Sequence, residues 1–259
     1  MSASESSVWS VPSGLHTRLR LYNGVMGVLH VLQGFAILIL ANDFTLPVNG
    51  TFLEGPPGSA ALDPVRLLDL PVAWGVAVFL FLSAAFHLLI SGPTFFDRYS
   101  SGLTHGRNYF RWVEYSLSSS LMIVLIAMLT GISDVAALIA LFGVNASMIF
   151  FGAIQEKYEQ PGGSLMPFWL GCIAGAVPWV AVGFYLFTPG RAAEPPGFVY
   201  GIFISLFVFF NVFALNMWLQ YRRVGPWRDY LHGEKVYMLL SLVAKSALAW
   251  QVFGGTLAL

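Results

Sequence analysis

The amino-acid sequence predicts an all-α membrane protein built from seven transmembrane helices. The chain is 57% hydrophobic and only 10% charged, whereas soluble domains carry roughly 25% charged residues. Seven apolar stretches are each long enough to cross a hydrocarbon core, which is about 30 Å thick and needs about 20 helical residues. Turn residues and charges separate these stretches.

The stretches predict a single domain over residues 1–259, because no internal repeat is visible. We expect helices at about residues 15–42, 70–91, 107–130, 133–157, 164–188, 197–222 and 228–257. The N-terminal segment lacks the apolar core of a cleaved signal peptide, so we expect the first helix itself to direct membrane insertion.

The long first loop contains a signal for a small β-hairpin. In "FTLPVNGTFL", apolar and polar residues alternate around Asn49-Gly50, a pair typical of tight hairpin turns. We expect a hairpin over the outer end of the bundle. Asn49-Gly50-Thr51 also matches the N-glycosylation pattern, although a turn that needs Asn-Gly is the favoured interpretation.

The basic residues of the loops predict the orientation, because Lys and Arg concentrate on cytoplasmic loops. Only Arg66 and Arg191 lie on the side opposite to the N-terminus. Nine lie on the N-terminal side: Arg18, Arg20, Arg98, Arg107, Lys157, Arg222, Arg223, Arg228 and Lys235. We therefore expect the N-terminus in the cytoplasm and, after seven crossings, the C-terminus outside the cell.

Composition also excludes some classes of function. The formal net charge is zero, which gives no reason to expect a nucleic-acid partner. Cys172 is the one cysteine, so the chain can form no disulfide framework and has no zinc-ligand spacing.

Lys245 lies in the middle of the last apolar stretch, in "LSLVAKSALAW". It is about ten residues, or roughly 15 Å, from each end of its helix. A lysine side chain of about 6 Å cannot carry its ammonium group that far to water. Lys245 therefore needs a buried partner, either in a purely structural ion pair or in a functional site.

Glu114, in the third span, is the candidate partner, because it is the acid well inside an apolar stretch. Arg111, Glu114 and Ser118 share one helix face, and Ser241 lies one turn before Lys245 on the same face. Serine hydroxyls could stabilise such a buried pair. If the amine formed a Schiff base with an aldehyde, Glu114 would hold the iminium protonated. A serine-rich helix that packs closely through small residues is the alternative.

Two histidines and several aromatic residues complete the candidate site. His30 and His87 lie on the first two spans and form either packing contacts or a proton-accepting polar pocket; no third residue predicts a metal site. Trp169, Trp179 and the phenylalanines of "FISLFVFFNVF" either line an apolar ligand pocket or face lipid and the core.

The order of these features is similar to that of retinal-binding rhodopsins, and several sequence segments resemble those of heliorhodopsins. The matching segments are "ANDFTLPVNGTFLEGPPG", "RWVEYSLSSSLMIVLIA", "FGVNASMIFFG", "PFWLGCIAGAVPW", "PGFVYGIFISLF" and "SLVAKSALAWQ". The resemblance extends from about Gly24 to the end of the chain. Heliorhodopsins also have the cytoplasmic N-terminus that the loop charges predict here.

The resemblance implies a chromophore and a set of site residues. Lys245 would hold all-trans retinal as a protonated Schiff base, Glu114 would be the counterion, and Ser118 and Ser241 would form hydrogen bonds around the pair. His30, His87 and Arg111 would belong to a polar cavity that accepts the Schiff-base proton. The residues near the chromophore would be Tyr115, Met122, Asn145, Trp169, Trp179 and Phe210.

The resemblance further implies a light sensor in the plasma membrane rather than an enzyme. Light would isomerise retinal from all-trans to 13-cis. Family members form dimers to which the hairpin contributes, and a signalling partner would be a further protein. Pumping rhodopsins carry carboxylates at the positions that Ser241 and Leu125 occupy here, so pumping is not expected.

Two other classes of function remain open from sequence. A transporter or channel could use Lys245 and Glu114 as a proton relay without any chromophore, or, with retinal bound, could be a light-gated or light-driven ion transporter. A membrane scaffold could use the same pair only to fix the helix register. Absorption after addition of retinal would separate a retinal protein from the classes without a chromophore, and light-induced pH changes would separate a sensor from a transporter.

Overall fold

The computed structural model describes residues 13–59, 63–188 and 194–258. Within them the chain forms eight α-helices and one two-stranded sheet. Their bounds are α1 Ser13–Leu40, β1 Thr45–Gly50, β2 Val65–Pro71, α2 Val72–Ser91, α3 Pro93–Thr104, α4 Tyr109–Leu129, α5 Val135–Tyr158, α6 Met166–Phe187, α7 Gly197–Tyr221 and α8 Tyr230–Val252. A short 3₁₀ helix at Gly225–Arg228 precedes α8, and a π turn at Phe253–Leu257 follows it.

All of these helices except α3 are long and apolar enough to cross a membrane, which confirms the predicted seven-helix membrane fold. The seven spans form a closed ring in which each packs beside the next and α1 also contacts α8. The fourth helix, α4, is the most buried of the seven. Side chains on this helix can therefore reach α2, α5, α6 and α7.

Polar residues at the helix starts explain where three of the spans begin. Asn108, Asp134 and Asp229 each accept a hydrogen bond from a backbone N–H in the first turn of α4, α5 and α8, respectively. Such caps satisfy donors that have no partner within the helix. Between α4 and α5 the chain turns at Gly131, whose φ of +100° favours glycine.

The segment between α2 and α4, which the sequence indicates only as a connection, contains the extra helix α3. Pro93 occupies the start of α3, where proline is well tolerated, and Gly92 separates it from α2. We call this end of the bundle the α3 end. It also carries the start of α1, α4, α6 and α8, and the opposite end is the sheet end.

The predicted hairpin is present as an antiparallel β1–β2 sheet, but its turn is not at Asn49-Gly50. Asn49 instead lies in β1 and is paired with Arg66 in β2. Its backbone N–H and its side chain both donate to Ser133, in the turn between α4 and α5. The Asn-Gly pair therefore attaches the sheet to the bundle and does not reverse the chain.

Candidate functional site

Lys245 and Glu114 form a buried ion pair in the middle of the bundle, between α8 and α4. The Lys245 Nζ lies 3.0 Å from Glu114 Oε1, and the two side chains are only 4% and 6% exposed. The same nitrogen donates to Ser241 Oγ at 2.7 Å, one turn earlier on α8. The structure thus brings together the three residues that the spacing of charges and serines singled out.

Two further serines, one from α2 and one from α4 itself, lie beside the carboxylate. Ser83, on α2, donates to Glu114 Oε1 at 2.6 Å. Ser118, one turn after Glu114, is fully buried beside the carboxylate, but its hydroxyl makes no well-oriented hydrogen bond. Sequence reasoning missed Ser83, although its position one turn before His87 on the same face was a usable signal.

An apolar cavity of about 120 Å³ begins at the Lys245 amine and extends between α4, α5, α6, α7 and α8. Tyr115, Met122 and Phe210 line it, as does Ser241. Its other walls are largely aromatic or aliphatic and include Trp112, Met148, Phe168, Phe213 and Tyr237. We call this space the main cavity. An amine in the wall of an apolar cavity can bind a hydrophobic aldehyde.

A second, smaller cavity of about 30 Å³ lies on the α3 side of the ion pair, and we call it the inner cavity. Its polar lining comprises Asn23, His87, Tyr99, Asn108, Arg111, Glu114, Tyr115 and Glu234. His87 Nδ1 lies 2.8 Å from Asn23 Oδ1, and the His87 ring stacks on His30 at 5.8 Å between centroids. His30 is fully buried, and neither of its ring nitrogens has a hydrogen-bond partner.

Arg111 lines the inner cavity as well and forms ion pairs with two buried acids. Its Nη2 lies 2.5 Å from Glu156 Oε1, and its Nη1 contacts Glu234 Oε1. Sequence reasoning assigned Arg111 to the polar cavity but missed both partners. Glu156 lies at the edge of a predicted span, and Glu234 lies before the apolar core of the last one, so neither stood out as buried.

A family model of heliorhodopsins matches residues 19–257. The chain belongs to the heliorhodopsin family. Family membership implies retinal as the chromophore, and the seven apolar helices make the chain a multi-pass membrane protein. Comparison with curated proteins gives no match.

Two solved structures share the rhodopsin fold with this heliorhodopsin. One is the transmembrane domain of Salpingoeca rosetta rhodopsin phosphodiesterase, with a TM-score of 0.66, 11% identity, and coverage of 93% of this chain and 85% of that chain. The other contains the transmembrane domain and linker region of the same protein, with a TM-score of 0.64, 11% identity, and coverage of 93% and 80%. At this identity the likeness shows the fold alone.

The residues of the main cavity fit a retinal group. Its lining supplies the primary amine of Lys245 and largely apolar walls. The Glu114 carboxylate, which lines the inner cavity, lies 3.0 Å from that amine. Gly152 and Gly171 also belong to the lining. A Cβ at Gly152 would lie 2.6 Å from Trp112 Cζ3, so the glycine lets this large ring pack against α5.

The other three residues expected near the chromophore do not line the main cavity. Trp169 is 54% exposed on the outer face of α6, and the residue before it, Phe168, lines the cavity instead. This corrects the expectation for Trp169, because neighbouring helical residues point about 100° apart. Trp179 is buried behind the wall, 5.3 Å from the Phe210 ring, and Asn145 donates to Ser119 and Ser120.

Among the described residues, no three His, Cys, Asp or Glu side chains are grouped as metal ligands. His30 and His87 come together without a third ligand, and Cys172 is a free thiol in the wall of the main cavity.

Proposed function

We propose that this heliorhodopsin is a light sensor in which Lys245 binds all-trans retinal covalently and Glu114 is the single counterion. The observation that carries the proposal is the buried Lys245–Glu114 pair at the end of an apolar cavity. Retinal attached to this nitrogen as an iminium would supply absorption of visible light and isomerisation to the 13-cis form. The residues around it would determine what happens to the proton on the nitrogen.

In the dark, Glu114 stabilises the charged Lys245 nitrogen, because an opposite charge at hydrogen-bond distance favours the protonated form. Burying such a pair is tolerable only when hydrogen bonds satisfy the remaining oxygens and protons. Ser83 donates to the carboxylate and Ser241 accepts from the nitrogen. The Ser83 hydroxyl therefore helps to hold the carboxylate beside the nitrogen, and Ser241 offers a second acceptor for its N–H.

After light absorption, the Lys245 N–H turns away from Glu114, and the ion pair weakens. The proton then leaves toward the inner cavity, where His87 is hydrogen-bonded to Asn23 and stacked on His30. The change in charge alters the packing of α1, α2 and α4 around that cavity. A local electrostatic event of this kind is a common basis for signalling.

The opposite half of the bundle supports sensing rather than pumping. Leu125 is only 1% exposed and occupies the position of a pump's donor carboxylate, and its surroundings are apolar. Ser241 occupies the position of the second carboxylate of pumps. Among the described residues, no buried charged side chain lies on the sheet side of the Lys245 nitrogen, whereas titratable side chains lie on the α3 side.

Reconstitution with retinal tests the photoreceptor proposal directly. Wild type is expected to gain a visible absorption band, and Lys245→Ala is expected to lose it completely. Lys157→Ala, which removes an exposed lysine, is the matched control and should keep the band. A band of unchanged wavelength and extinction in Lys245→Ala would exclude the covalent attachment.

A second measurement separates a sensor from the alternative, a light-driven or light-gated proton transporter. Illuminated cell suspensions that contain the protein should show no sustained pH change. A change that continues under illumination and that a protonophore abolishes would favour the transporter.

We also propose that the N-terminus is cytoplasmic, that the protein resides in the plasma membrane, and that it forms a homodimer. The orientation rests on nine basic residues near the α3 end against Arg66 near the sheet end, with Arg191, which lies outside the described residues, counted on that side from sequence. The dimer rests on family resemblance and on the sheet, whose strand β2 is largely exposed. Tag accessibility in intact cells tests the orientation, and crosslinking in membranes tests the homodimer.

A signalling partner, if it acts on this protein, would be identified by capture under dark and light conditions.

A further inference from the structure

Arg111, Glu156 and Glu234 form a compact charged cluster at the α3 end, and together they contain one cation and two acids. The three residues are 7%, 7% and 1% exposed. Arg111 uses different guanidinium nitrogens for the two acids. Its guanidinium carbon also lies 4.1 Å from the centre of the Tyr237 ring and 4.4 Å from that of Trp112.

The two acids have unequal surroundings. Besides Arg111, Glu156 accepts hydrogen bonds from the Asn108 backbone N–H at 2.8 Å, from Trp112 Nε1 at 2.5 Å, and from the Tyr230 hydroxyl at 2.8 Å. Glu234 accepts one further bond, from Asn108 Nδ2 at 2.8 Å. Glu156 is thus fully supplied with donors, whereas Glu234 is held mainly by Arg111.

The charges of the cluster do not balance if both acids are ionised. Burying an uncompensated charge costs several kcal/mol, even after relaxation of the protein around it. Arg228 is the nearby cation on the solvent side, but it is exposed and donates to the Arg223 carbonyl. One proton held between the two carboxyl groups would make the cluster neutral.

The other titratable groups that face the cluster or its two cavities are Tyr99, Tyr115, Tyr221, Tyr230, Tyr237, His87, His105, Glu114 and Glu159.

The cluster also separates two cavities. Arg111 and Glu234 line the inner cavity, together with Glu114 and His87, and no exposed residue belongs to that lining. Arg111 and Glu156 line a third cavity of about 30 Å³, which we call the outer cavity. Exposed Gln160 and Arg228 belong to the outer lining, so this cavity lies toward water. The two acids therefore face opposite sides of one guanidinium.

We propose that the Arg111–Glu156–Glu234 cluster is a proton relay that holds one shared proton between the inner and outer cavities. At rest the shared proton is an O–H on Glu234, which has fewer donors than Glu156. A proton that arrives from the inner cavity forms an O–H bond at the other Glu234 oxygen while the first O–H bond breaks. The released proton passes by way of Glu156 to water in the outer cavity. Arg111 remains charged throughout, and the cluster returns to the same charge. The relay rests on the proposed function, which supplies the arriving proton.

The shared proton can be measured without retinal, by infrared spectroscopy of the purified apoprotein in H2O and D2O. Wild type should show the carbonyl band of a protonated carboxylic acid at neutral pH, with a deuterium shift. Glu234→Gln and Glu156→Gln should each abolish this band, because the remaining acid and Arg111 then balance without a proton. Glu234→Asp keeps a carboxyl group and should retain the band.

Glu159→Gln is the matched control, because Glu159 lies in the outer cavity but is not paired with Arg111. It should leave the band unchanged. Absence of a protonated-acid band from wild type, or its persistence in both Glu234→Gln and Glu156→Gln, would overturn the shared proton. A band that appears only when sodium is removed would also overturn it, since a bound cation would then neutralise the cluster.

A second measurement uses the retinal-bound protein and tests the transfer step. In Glu234→Gln the dark absorption band should form normally, and its recovery after a flash should slow by about 100-fold, within the range typical of a lost acid–base group. Glu234→Asp should restore most of the rate. Normal recovery in Glu234→Gln would overturn the relay, whereas failure of any variant or of wild type to bind retinal would count against the photoreceptor proposal instead.

Discussion

The two halves of this bundle are built from the same seven helices but have opposite interiors. Toward the α3 end, the interior contains ion pairs, histidines, amides and two small polar cavities. Toward the sheet end, it is a continuous cluster of side chains such as Ile37, Phe79, Leu80, Ile126 and Leu206. Among the described residues, every buried charged side chain lies at mid-bundle or in the α3 half: Arg111, Glu114, Glu156, Glu234 and Lys245.

This difference teaches how one fold can combine stability with proton chemistry. Close-packed apolar side chains stabilise a bundle and exclude water. Buried polar groups add little net stability but can hold and move charge. Lys245 and Glu114 lie at the boundary between the halves. A change in their charge therefore acts on the polar groups of the α3 half, whereas the apolar sheet half has no buried charged side chain among the described residues to respond to it.

The largest expected effect comes from Glu114, at the boundary between the halves, and concerns the visible absorption band. Glu114→Gln removes the carboxylate that balances the Lys245 nitrogen. In the retinal-bound protein we expect either a red shift of the visible band or loss of the protonated form at neutral pH, measured by spectrophotometric titration. An unchanged spectrum across pH would remove Glu114 from the counterion role.

A large loss of stability is expected from a change in the α3 half. Arg111→Gln leaves Glu156 and Glu234 buried without their cation and should lower the free energy of unfolding by about 3–5 kcal/mol. Thermal loss of the visible band would report it. Arg107→Gln, at a partly buried residue of the same end, is the control and should change little. Equal stability of Arg111→Gln and wild type would mean that the cluster is not held by charge.

A smaller effect is expected in the sheet half. Leu80→Ala removes a fully buried side chain from the apolar cluster and should cost about 2–4 kcal/mol through the cavity it leaves. The wavelength of the visible band should not change. Leu32→Ala, at a position that is 60% exposed, is the control. A large shift of the band in Leu80→Ala would show that the two halves are not independent.

The smallest effect is expected from Ser83→Ala. It removes one hydrogen bond to Glu114, whose oxygen keeps the contact with Lys245. We expect a loss of about 1–2 kcal/mol in stability and a small spectral shift that Ser83→Thr largely reverses. A shift as large as that of Glu114→Gln would mean that Ser83 itself determines the charge on the carboxylate.

The sequence predicted well those features that depend on local composition. Span length and hydropathy defined the seven helices, and the depth of Lys245 within its span required a partner such as Glu114. In contrast, Glu156 and Glu234 lie near helix ends, where acids are ordinary on a solvated surface. Only the packing of α4, α5 and α8 around Arg111 buries them.

Two errors have a similar cause. The Asn49-Gly50 pair has the local chemistry of a turn, but its contacts with Ser133 place it inside a strand. Trp169 has the size expected of a cavity wall, but its angular position on α6 turns it outward and brings Phe168 inward. In each instance the residue type indicated a plausible local role, but it did not determine where the residue lies in the tertiary structure.

Asn23 connects the polar half of the bundle to helix α3. Its side-chain oxygen lies 2.8 Å from His87 Nδ1, and its side-chain nitrogen donates to the Tyr99 hydroxyl of α3 at 3.4 Å. Burial raises the pKa of Tyr99, so this hydroxyl keeps its proton and stays neutral. Because Asn23 Oδ1 can only accept, His87 Nδ1 donates in this contact, and a second proton gained at Nε2 would strengthen it. A charge on His87 would thus act on an amide that also contacts α3, the one described α-helix that does not cross the membrane.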